Sequence, residues 1–453
     1  MTEYGVAPLE LGLTTKLCEF LAPTRHEDLP APIQHEVKRA LLDWIGCTMA
    51  GSGHPTIEKL TTVFSTTGGT GQATVVAKNK TLGMLEAPIA NGQMGHILDF
   101  DDTHMDGVVL HASSPLFSAL FALSEHKKLS GREIGAAFTA GFEAAVRVGK
   151  SAPRHHDGGW HLTGTLGTIG AAIAAGRALG LSALQMTHCS GVATTQAAGM
   201  QQNRGTMCKS FHSGKAASNG LLAALLAAQG FDSSPEIFEG RKGFARIYST
   251  EANPDALTTA LGERWELGSN GYKPYACGIV QHPLIDAMVS LAATHSVTLD
   301  QIEAFEAKVN EAAVRITGVE EPETGLKSKF SLKHSAAVGY LDGDAGIIQY
   351  SDARATAEDV RALRRRIHVT IEDGFRRDEA EATLVLASGA RHTVHVPHAS
   401  GTAANPMSDA KLEAKFRANT EPVVGKERAE RIAQLAWALD DLEDFSEFVR
   451  ACS

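Results

Sequence analysis

The chain has 453 residues, 43% hydrophobic and 21% charged, which is typical of a globular protein with two or three domains. Its net charge of −10 and the lack of a basic run weigh against nucleic acid and anionic membranes as partners. Residues 1–8 show no basic segment followed by an apolar core, so we expect no signal peptide and a cytoplasmic location. The six cysteines match no zinc or iron–sulfur spacing, so we expect free thiols.

The first 268 residues have the patterns of helices. Apolar residues recur at helical spacing over residues 33–51, and the segment ends at a glycine. Further stretches rich in Ala, Leu and Gly predict helices at 116–126, 135–149, 167–180 and 216–230. Small residues let helix backbones approach closely, so the sequence predicts a compact helical assembly.

The pattern changes after about Gly268. Alternation predicts strands over 302–317, 367–372 and 382–386, and Ser388-Gly-Ala-Arg predicts a hairpin turn into a strand at 392–397. A helix is expected around residues 330–340, and helical spacing returns over 410–448. We therefore predict a mostly α fold: a large all-α helical domain of residues 1–268, completed by C-terminal helices at 405–453, and a smaller α+β domain at 269–404.

The segment HILDFDDTH at 96–104 places Asp99, Asp101 and Asp102 within four residues. Such carboxylates repel one another and are usually solvated, bound to a cation or used in chemistry. The flanking residues are apolar and small, which favours a functional site, although helix capping in a surface loop stays an alternative. Residues 99–103 also match the DxDxT pattern of aspartyl-phosphate hydrolases. That function is disfavoured because its motif follows a strand and no strand is predicted before Asp99.

Four glycine-flanked segments carry basic residues and predict an anion site. They are LHASSP at 110–115, GGWHLTGTLGT at 158–168, RGTMCKSFHSGKA at 204–216 and GYKPYACG at 271–278. Helix N-termini and nearby cations favour carboxylate or phosphate groups. Lys209, His212, Lys215 and Lys273 are therefore candidates for holding a small anion.

Together these segments resemble the MmgE/PrpD family, which includes 2-methylcitrate dehydratase, cis-aconitate decarboxylase and iminodisuccinate epimerase. The resemblance rests on HILDFDDTH, GWHLTGTLGTIGAAIAAGRALGL, GTMCKSFHSGKAASNG, YKPYACGIVQHPLIDA and GLKSKFSLKHSAA, in family order over most of the chain. It implies a helical domain with an α+β lid, a cleft between them and a homodimer. The matching positions are Asp99, Thr103, His111, His161, Lys209 and Lys273.

The resemblance implies that Lys209 and Lys273 stabilise an enolate-like intermediate and that His161 or His111 transfers protons. Asp99 would orient one of these groups. The substrate-binding candidates are Thr103, His212, Lys215, Tyr275 and His334. No cofactor and no metal are expected, because lysines can supply the stabilising charge.

We therefore expect a cofactor-independent hydro-lyase for a small di- or tricarboxylate such as 2-methylcitrate. Epimerisation of an iminodisuccinate-like dicarboxylate and cis-aconitate decarboxylation are alternatives. Decarboxylase members of the family have a histidine where this chain has Gly278 and a tyrosine where it has His334, which weighs against decarboxylation. A non-catalytic carboxylate binder and a metal-dependent hydrolase using the Asp cluster are further alternatives.

Overall fold

The computed structural model describes residues 12–69, 71–295 and 297–453. Its helices are α1 (Leu13–Leu21), α2 (Ala31–Gly51), α3 (Pro55–Thr67), α4 (Ala87–Ile97), α5 (Ser113–Ser124), α6 (Gly131–Ser151), α7 (Leu162–Leu179), α8 (Ala183–Thr194), α9 (Met207–Ala228), α10 (Phe244–Ile247), α11 (His282–Thr294), α12 (Glu311–Ile316), α13 (Gly325–Ser328), α14 (Leu332–Asp342), α15 (Asp352–Thr356), α16 (Glu358–Arg364), α17 (Asp409–Val424), α18 (Lys426–Trp437) and α19 (Ser446–Ala451). Its strands are β1 (Ala73–Val75), β2 (Lys80–Leu82), β3 (Thr103–His104), β4 (Asn270–Gly271), β5 (Ile302–Val309), β6 (Ile367–Ile371), β7 (Ala380–Leu386) and β8 (Arg391–Val396). The fold is mostly helical, as predicted.

Helix α7 lies at the centre of the helical part and packs against α5, α6, α8 and α9. Helix α9 also packs along α4, and glycines make this approach close. A Cβ on Gly92 of α4 would lie 2.7 Å from the Cα of Gly214 in α9, closer than real Cβ atoms approach. The contact brings the end of α4, where the HILDFDDTH motif begins, next to the first turn of α9, which belongs to the RGTMCKSFHSGKA motif.

The helices predicted in the first 268 residues are confirmed, but this part of the chain is not purely helical. Strands β1 and β2 form a two-stranded antiparallel sheet. Strand β3 pairs with β4, with Thr103 opposite Gly271 and His104 opposite Asn270. These strands have only two or three residues, so period-two alternation could not reveal them. The second pair joins the Asp cluster to the segment that contains Lys273.

The C-terminal half contains a four-stranded sheet of order β6-β5-β7-β8. Strand β5 is parallel to β6 and antiparallel to β7, and β7 and β8 form the predicted hairpin. The strand predicted over 302–317 is wrong in its second half. Strand β5 ends at Val309, and the Asn310 side chain then accepts a hydrogen bond from the Ala312 amide at 2.9 Å, which caps helix α12.

Two hydrophobic clusters form the interior. One joins apolar residues between positions 13 and 272 with others between 407 and 452. The second consists of residues between 276 and 384 together with Cys47, Ile97, Leu98 and Phe100. On this basis we propose the division into a helical domain and an inserted α+β domain, with the boundaries predicted above. In the described part of the chain, no helix combines the length and apolar character needed to cross a membrane.

Candidate active site

The centre of the site is one carboxylate held by two lysines. Asp99 follows α4 in a left-handed backbone conformation, with φ of 52°, which turns the chain sharply. Its Oδ1 lies 2.6 Å from Nζ of Lys273 and 3.2 Å from Nζ of Lys209. Lys273 also donates to the Asp99 carbonyl oxygen at 3.0 Å. Lys209 lies in the first turn of α9 and Lys273 follows β4, so the close packing of α4 on α9 and the pairing of β3 with β4 assemble this centre.

The electrostatics of the centre favour an ionised Asp99 carboxylate. Burial alone would raise the pKa of Asp99, but the ammonium groups of Lys209 and Lys273 hold it well below its usual range. Burial lowers the pKa of Lys209; the Asp99 carboxylate opposes this shift and Lys273 adds to it. Two cations therefore share one anion, and the centre is suited to a further negative charge.

The other two carboxylates of the cluster are separated by hydrogen bonds. Asp101 accepts from Nδ1 of His96 at 2.7 Å, and this neighbour, with His111, outweighs burial and lowers the pKa of Asp101. Asp102 accepts from the Ser113 hydroxyl at 2.7 Å and from the Asn270 amide at 2.9 Å.

Burial, followed by the Asp101 charge, raises the pKa of Asp102 to about 7. Asp99, Asp101 and Asp102 are all buried, so helix capping in a surface loop is wrong. Helix α4 also precedes Asp99 where an aspartyl-phosphate hydrolase would need a strand.

Four histidine rings lie side by side next to the Asp cluster. The ring centroid of His96 lies 4.8 Å from that of His111 and 5.4 Å from that of His161, which in turn lies 5.1 Å from that of His212. Nδ1 of His111 donates to the Asp102 carbonyl oxygen at 2.7 Å, which leaves its Nε2 unprotonated in the neutral ring.

Burial lowers the pKa of these histidines. The pKa values of His111 and His161 lie well below 6.5, and that of His212 is lowered to about 4. Nδ1 of His161 lies 2.9 Å from Nδ1 of His212, so one ring donates to the other. At neutral pH these imidazoles are uncharged and can act as proton acceptors.

One cavity brings together all five residues predicted to be catalytic: Asp99, His111, His161, Lys209 and Lys273 line it. Thr103 lies beside it, with its hydroxyl 3.1 Å from Nδ1 of His111. His212 does not line the cavity and contacts it through His161.

Three of the predicted substrate-binding residues lie elsewhere. Lys215 is exposed on α9 and does not line the cavity. The Tyr275 hydroxyl donates to Asp286 at 2.8 Å, and Nε2 of His334 lies 2.9 Å from the Gln349 carbonyl oxygen. The prediction that these three side chains contact substrate is corrected, because each is turned toward solvent or toward another protein group.

Sequence reasoning missed several residues at this site. Arg204, Arg377 and His156 line the same cavity, and His96 stacks on His161. Lys329 lies directly behind it, and its Nζ donates to the Ala276 carbonyl oxygen at 2.6 Å. Burial lowers the pKa of Lys329 to about 8. The available signal was the basic KSKFSLKH stretch, but a lysine in sequence is more often a solvated charge than a buried one.

Two groups of described residues have the donors of a metal site. The first is His96, Asp101 and His111, and the second is His104, Asp106 and Glu266; in each, the ligand atoms lie within 4.8 Å of one another.

The two groups differ in how their ligand atoms are engaged. In the first, Nδ1 of each histidine lies 2.7 Å from an oxygen atom of the cluster, which leaves Nε2 as the ring atom with a lone pair. In the second, Nζ of Lys150 lies 2.6 Å from Glu266 and 3.0 Å from Asp106, where it occupies the position of a cation. The second arrangement therefore favours an ammonium group over a metal.

Two models of known family domains match the chain. Residues 15–257 match the MmgE/PrpD N-terminal domain, and residues 275–441 match the MmgE/PrpD C-terminal domain. The chain belongs to the MmgE/PrpD family. The two matched regions are separated by residues 258–274, which include Lys273.

Relatives in the MmgE/PrpD family are enzymes. The chain is 26% identical to a cis-aconitate decarboxylase of Aspergillus terreus, covering 96% of this chain and 94% of the relative. It is 28% identical to the cis-aconitate decarboxylase-like protein oryM of Aspergillus oryzae, over 98% of both chains. It is 26% identical to a cis-aconitate decarboxylase of Mus musculus, over 91% of this chain and 88% of the relative.

Proposed function

We propose that this protein is a cofactor-independent lyase that breaks a bond next to a carboxylate of a small polycarboxylate. The observation that carries the proposal is the buried Lys209–Asp99–Lys273 centre in one cavity with neutral His111 and His161. Lysines in such a site can stabilise an enolate-like charge without a metal. Neutral imidazoles can exchange a proton with carbon or oxygen.

The residues are suited to either of two reactions. In a dehydration, His161 takes a proton from the carbon next to a carboxylate, and the electron pair is delocalised into that carboxylate. The pair then forms the new carbon–carbon double bond as the hydroxyl group leaves the adjacent carbon, protonated to water by a neighbouring acid. In a decarboxylation, the carbon–carbon bond to one carboxylate breaks, its electron pair is delocalised into a remaining carboxylate, and a proton is then added to carbon. Lys273 and Lys209 would stabilise the charge in both.

Decarboxylation of a cis-aconitate-like substrate is the first candidate, because relatives of that name match over nearly the whole chain. Dehydration of a substrate such as 2-methylcitrate is the second. It is favoured by Gly278, which lines the cavity at the position where the family's decarboxylases carry a histidine.

The test is proton NMR of the purified protein in D₂O with cis-aconitate, 2-methylcitrate, citrate and both iminodisuccinate stereoisomers. Loss of CO₂ from cis-aconitate supports decarboxylation, and new alkene signals from a saturated substrate support dehydration. Deuterium incorporation with inversion and no elimination would instead indicate an epimerase.

Variants tie any turnover to this site. We expect His161→Ala and Lys273→Ala to abolish turnover and Lys215→Ala to preserve it, because Lys215 is exposed on α9. Full turnover in both of the first two variants would refute the site. A folded wild-type protein that is silent with every substrate would leave the proposal unsupported.

A further inference from the structure

Two arginines in the wall of the catalytic cavity have no carboxylate partner among the described residues. Arg204, in the loop before α9, donates from Nη2 to Nε2 of His156 at 3.2 Å, and Arg377 lies on the exposed turn before β7. Within residues 12–69, 71–295 and 297–453, neither guanidinium forms an ion pair with a carboxylate. Such unpaired arginines are unusual beside a buried site, because arginine suits two-pronged carboxylate binding.

Two other arginines near the cavity form ion pairs with carboxylates, unlike Arg204 and Arg377. Arg315 lies 3.7 Å from Asp157, and Arg376 lies 3.2 Å from Glu379. Neither of these two lines the catalytic cavity. Of these four arginines, the two without a carboxylate partner are the two that line the cavity.

Arg204 and Arg377 come from the two parts of the fold and approach the same imidazole. Burial lowers the pKa of His156 to about 4, and the charges of Arg204 and then Arg377 add to this effect. The ring of His156 accepts a hydrogen bond from Arg204, and all three residues line the cavity. The two arginines therefore face the same cavity, one from the loop before α9 and the other from the turn before β7.

The charges of the wall show what kind of ligand fits. Four cationic side chains line the cavity, from Arg204, Lys209, Lys273 and Arg377, and one carboxylate, Asp99, opposes them. Since the histidines are neutral, the wall has a clear excess of positive charge. A ligand with several carboxylates would balance it.

Arg377 connects the catalytic cavity to a neighbouring one. It lines a second cavity of about 590 Å³, which shares Met105 and Ile279 with the catalytic cavity. Arg377 therefore lies where the catalytic cavity meets the wider outer one, and of these two cavities Arg204 lines the catalytic one alone.

We propose that Arg204 and Arg377 form a carboxylate subsite at the mouth of the catalytic cavity, which selects tricarboxylates over dicarboxylates. The subsite binds the carboxylate farthest from the reacting carbon, while Lys209 and Lys273 face the carboxylate that takes up charge. This assignment rests on the proposed function and names its substrate class.

The test is isothermal titration calorimetry with tricarballylate, an unreactive tricarboxylate, and succinate, a dicarboxylate. We expect Arg204→Gln and Arg377→Gln each to weaken tricarballylate binding by about tenfold or more, the effect of one lost charged hydrogen bond. Succinate binding should change by less than about twofold, because this ligand does not reach the subsite.

Arg315→Gln is the matched control, because it removes the same charge near His156 from a residue that is paired and outside the cavity. It should leave both affinities unchanged. Arg204→Lys and Arg377→Lys should restore binding in part, and melting curves verify that each variant is folded.

Unchanged tricarballylate affinity in folded Arg204→Gln and Arg377→Gln would overturn the subsite, as would equal weakening of both ligands. Equal weakening by Arg315→Gln would show a general charge effect and would also overturn it. These results leave the proposed function standing. A wild-type protein that binds neither ligand would overturn both proposals.

Discussion

Replacing Lys273 with methionine tests the buried centre most directly. The Lys273 side chain is fully buried, and its ammonium group is bound to Oδ1 and to the carbonyl oxygen of Asp99. Methionine keeps a similar length and removes the charge. Breaking a buried ion pair typically costs about 3–5 kcal/mol, because the remaining charge is left without compensation. Lys209 still lies 3.2 Å from Asp99, so we expect a loss at the lower end of that range.

The interaction energy between the Lys273 and Asp99 side chains is best measured with a double-mutant cycle. Urea unfolding of Lys273→Met, Asp99→Asn and the double variant gives the coupling between the two side chains. The double variant should lose less stability than the sum of the single variants, by about 0.5–3 kcal/mol, because it contains no unpaired carboxylate. Lys215→Met is the control and should leave the unfolding free energy unchanged, since Lys215 is exposed.

The same variant tests the chemistry. Removing one group that stabilises developing charge typically lowers kcat by about 10²–10³-fold, and we expect this loss in the assay that detects turnover. If Lys273→Met unfolds at the wild-type urea concentration, or if the cycle is additive, the description of a tightly coupled buried pair is wrong. Wild-type kcat in a folded Lys273→Met variant would refute its role as a stabilising cation.

Two further predictions concern positioning and pH. Lys415 of α17 donates to Asp43 at 2.7 Å and to the Phe100 carbonyl oxygen at 2.6 Å, so Lys415→Met should displace the Asp99 turn and lower kcat by up to about 10²-fold. Steady-state kinetics should show KM little changed and partial rescue by Lys415→Arg; an unchanged kcat would contradict this. The folded protein holds the pKa of His212 at about 4, whereas a histidine in the unfolded chain has a pKa of about 6.5. As pH falls below about 6.5, the unfolded chain therefore binds a proton at His212 that the folded protein does not, and folding loses stability. Urea unfolding should therefore show lower stability at pH 5.5 than at pH 7.5, with a smaller drop in His212→Gln; an equal drop would exclude His212 as a cause.

Local patterns predicted most of the fold. Apolar spacing predicts α2 and the central helices because each buries one face or all of its surface, and alternation predicts the hairpin of β7 and β8. The pairing of β3 with β4 involves two residues of each strand and is held by tertiary contacts, so no local signal exists for it. The end of β5 could have been read from Asn310, a residue type favoured at the start of a helix.

For the site, motifs located the residues but not their surroundings. Lys209 and Lys215 lie in one motif, and six residues of α-helix separate them by about 240° of rotation, so only one can face the same cavity. That argument was available from the sequence. The isolation of Arg204 and Arg377 from carboxylates was not, because it depends on which side chains the fold places around them.

The anchor of the Asp99 turn has a consequence for biosynthesis. Lys415 is 372 residues from Asp43 and 315 from Phe100, and the ribosome produces α17 after every other element of the site. A nascent chain that has already formed α4, α9 and the sheet still lacks the cation that secures this turn. Catalytic competence is therefore gained late in synthesis, because the turn that carries Asp99 is secured only after α17 has formed.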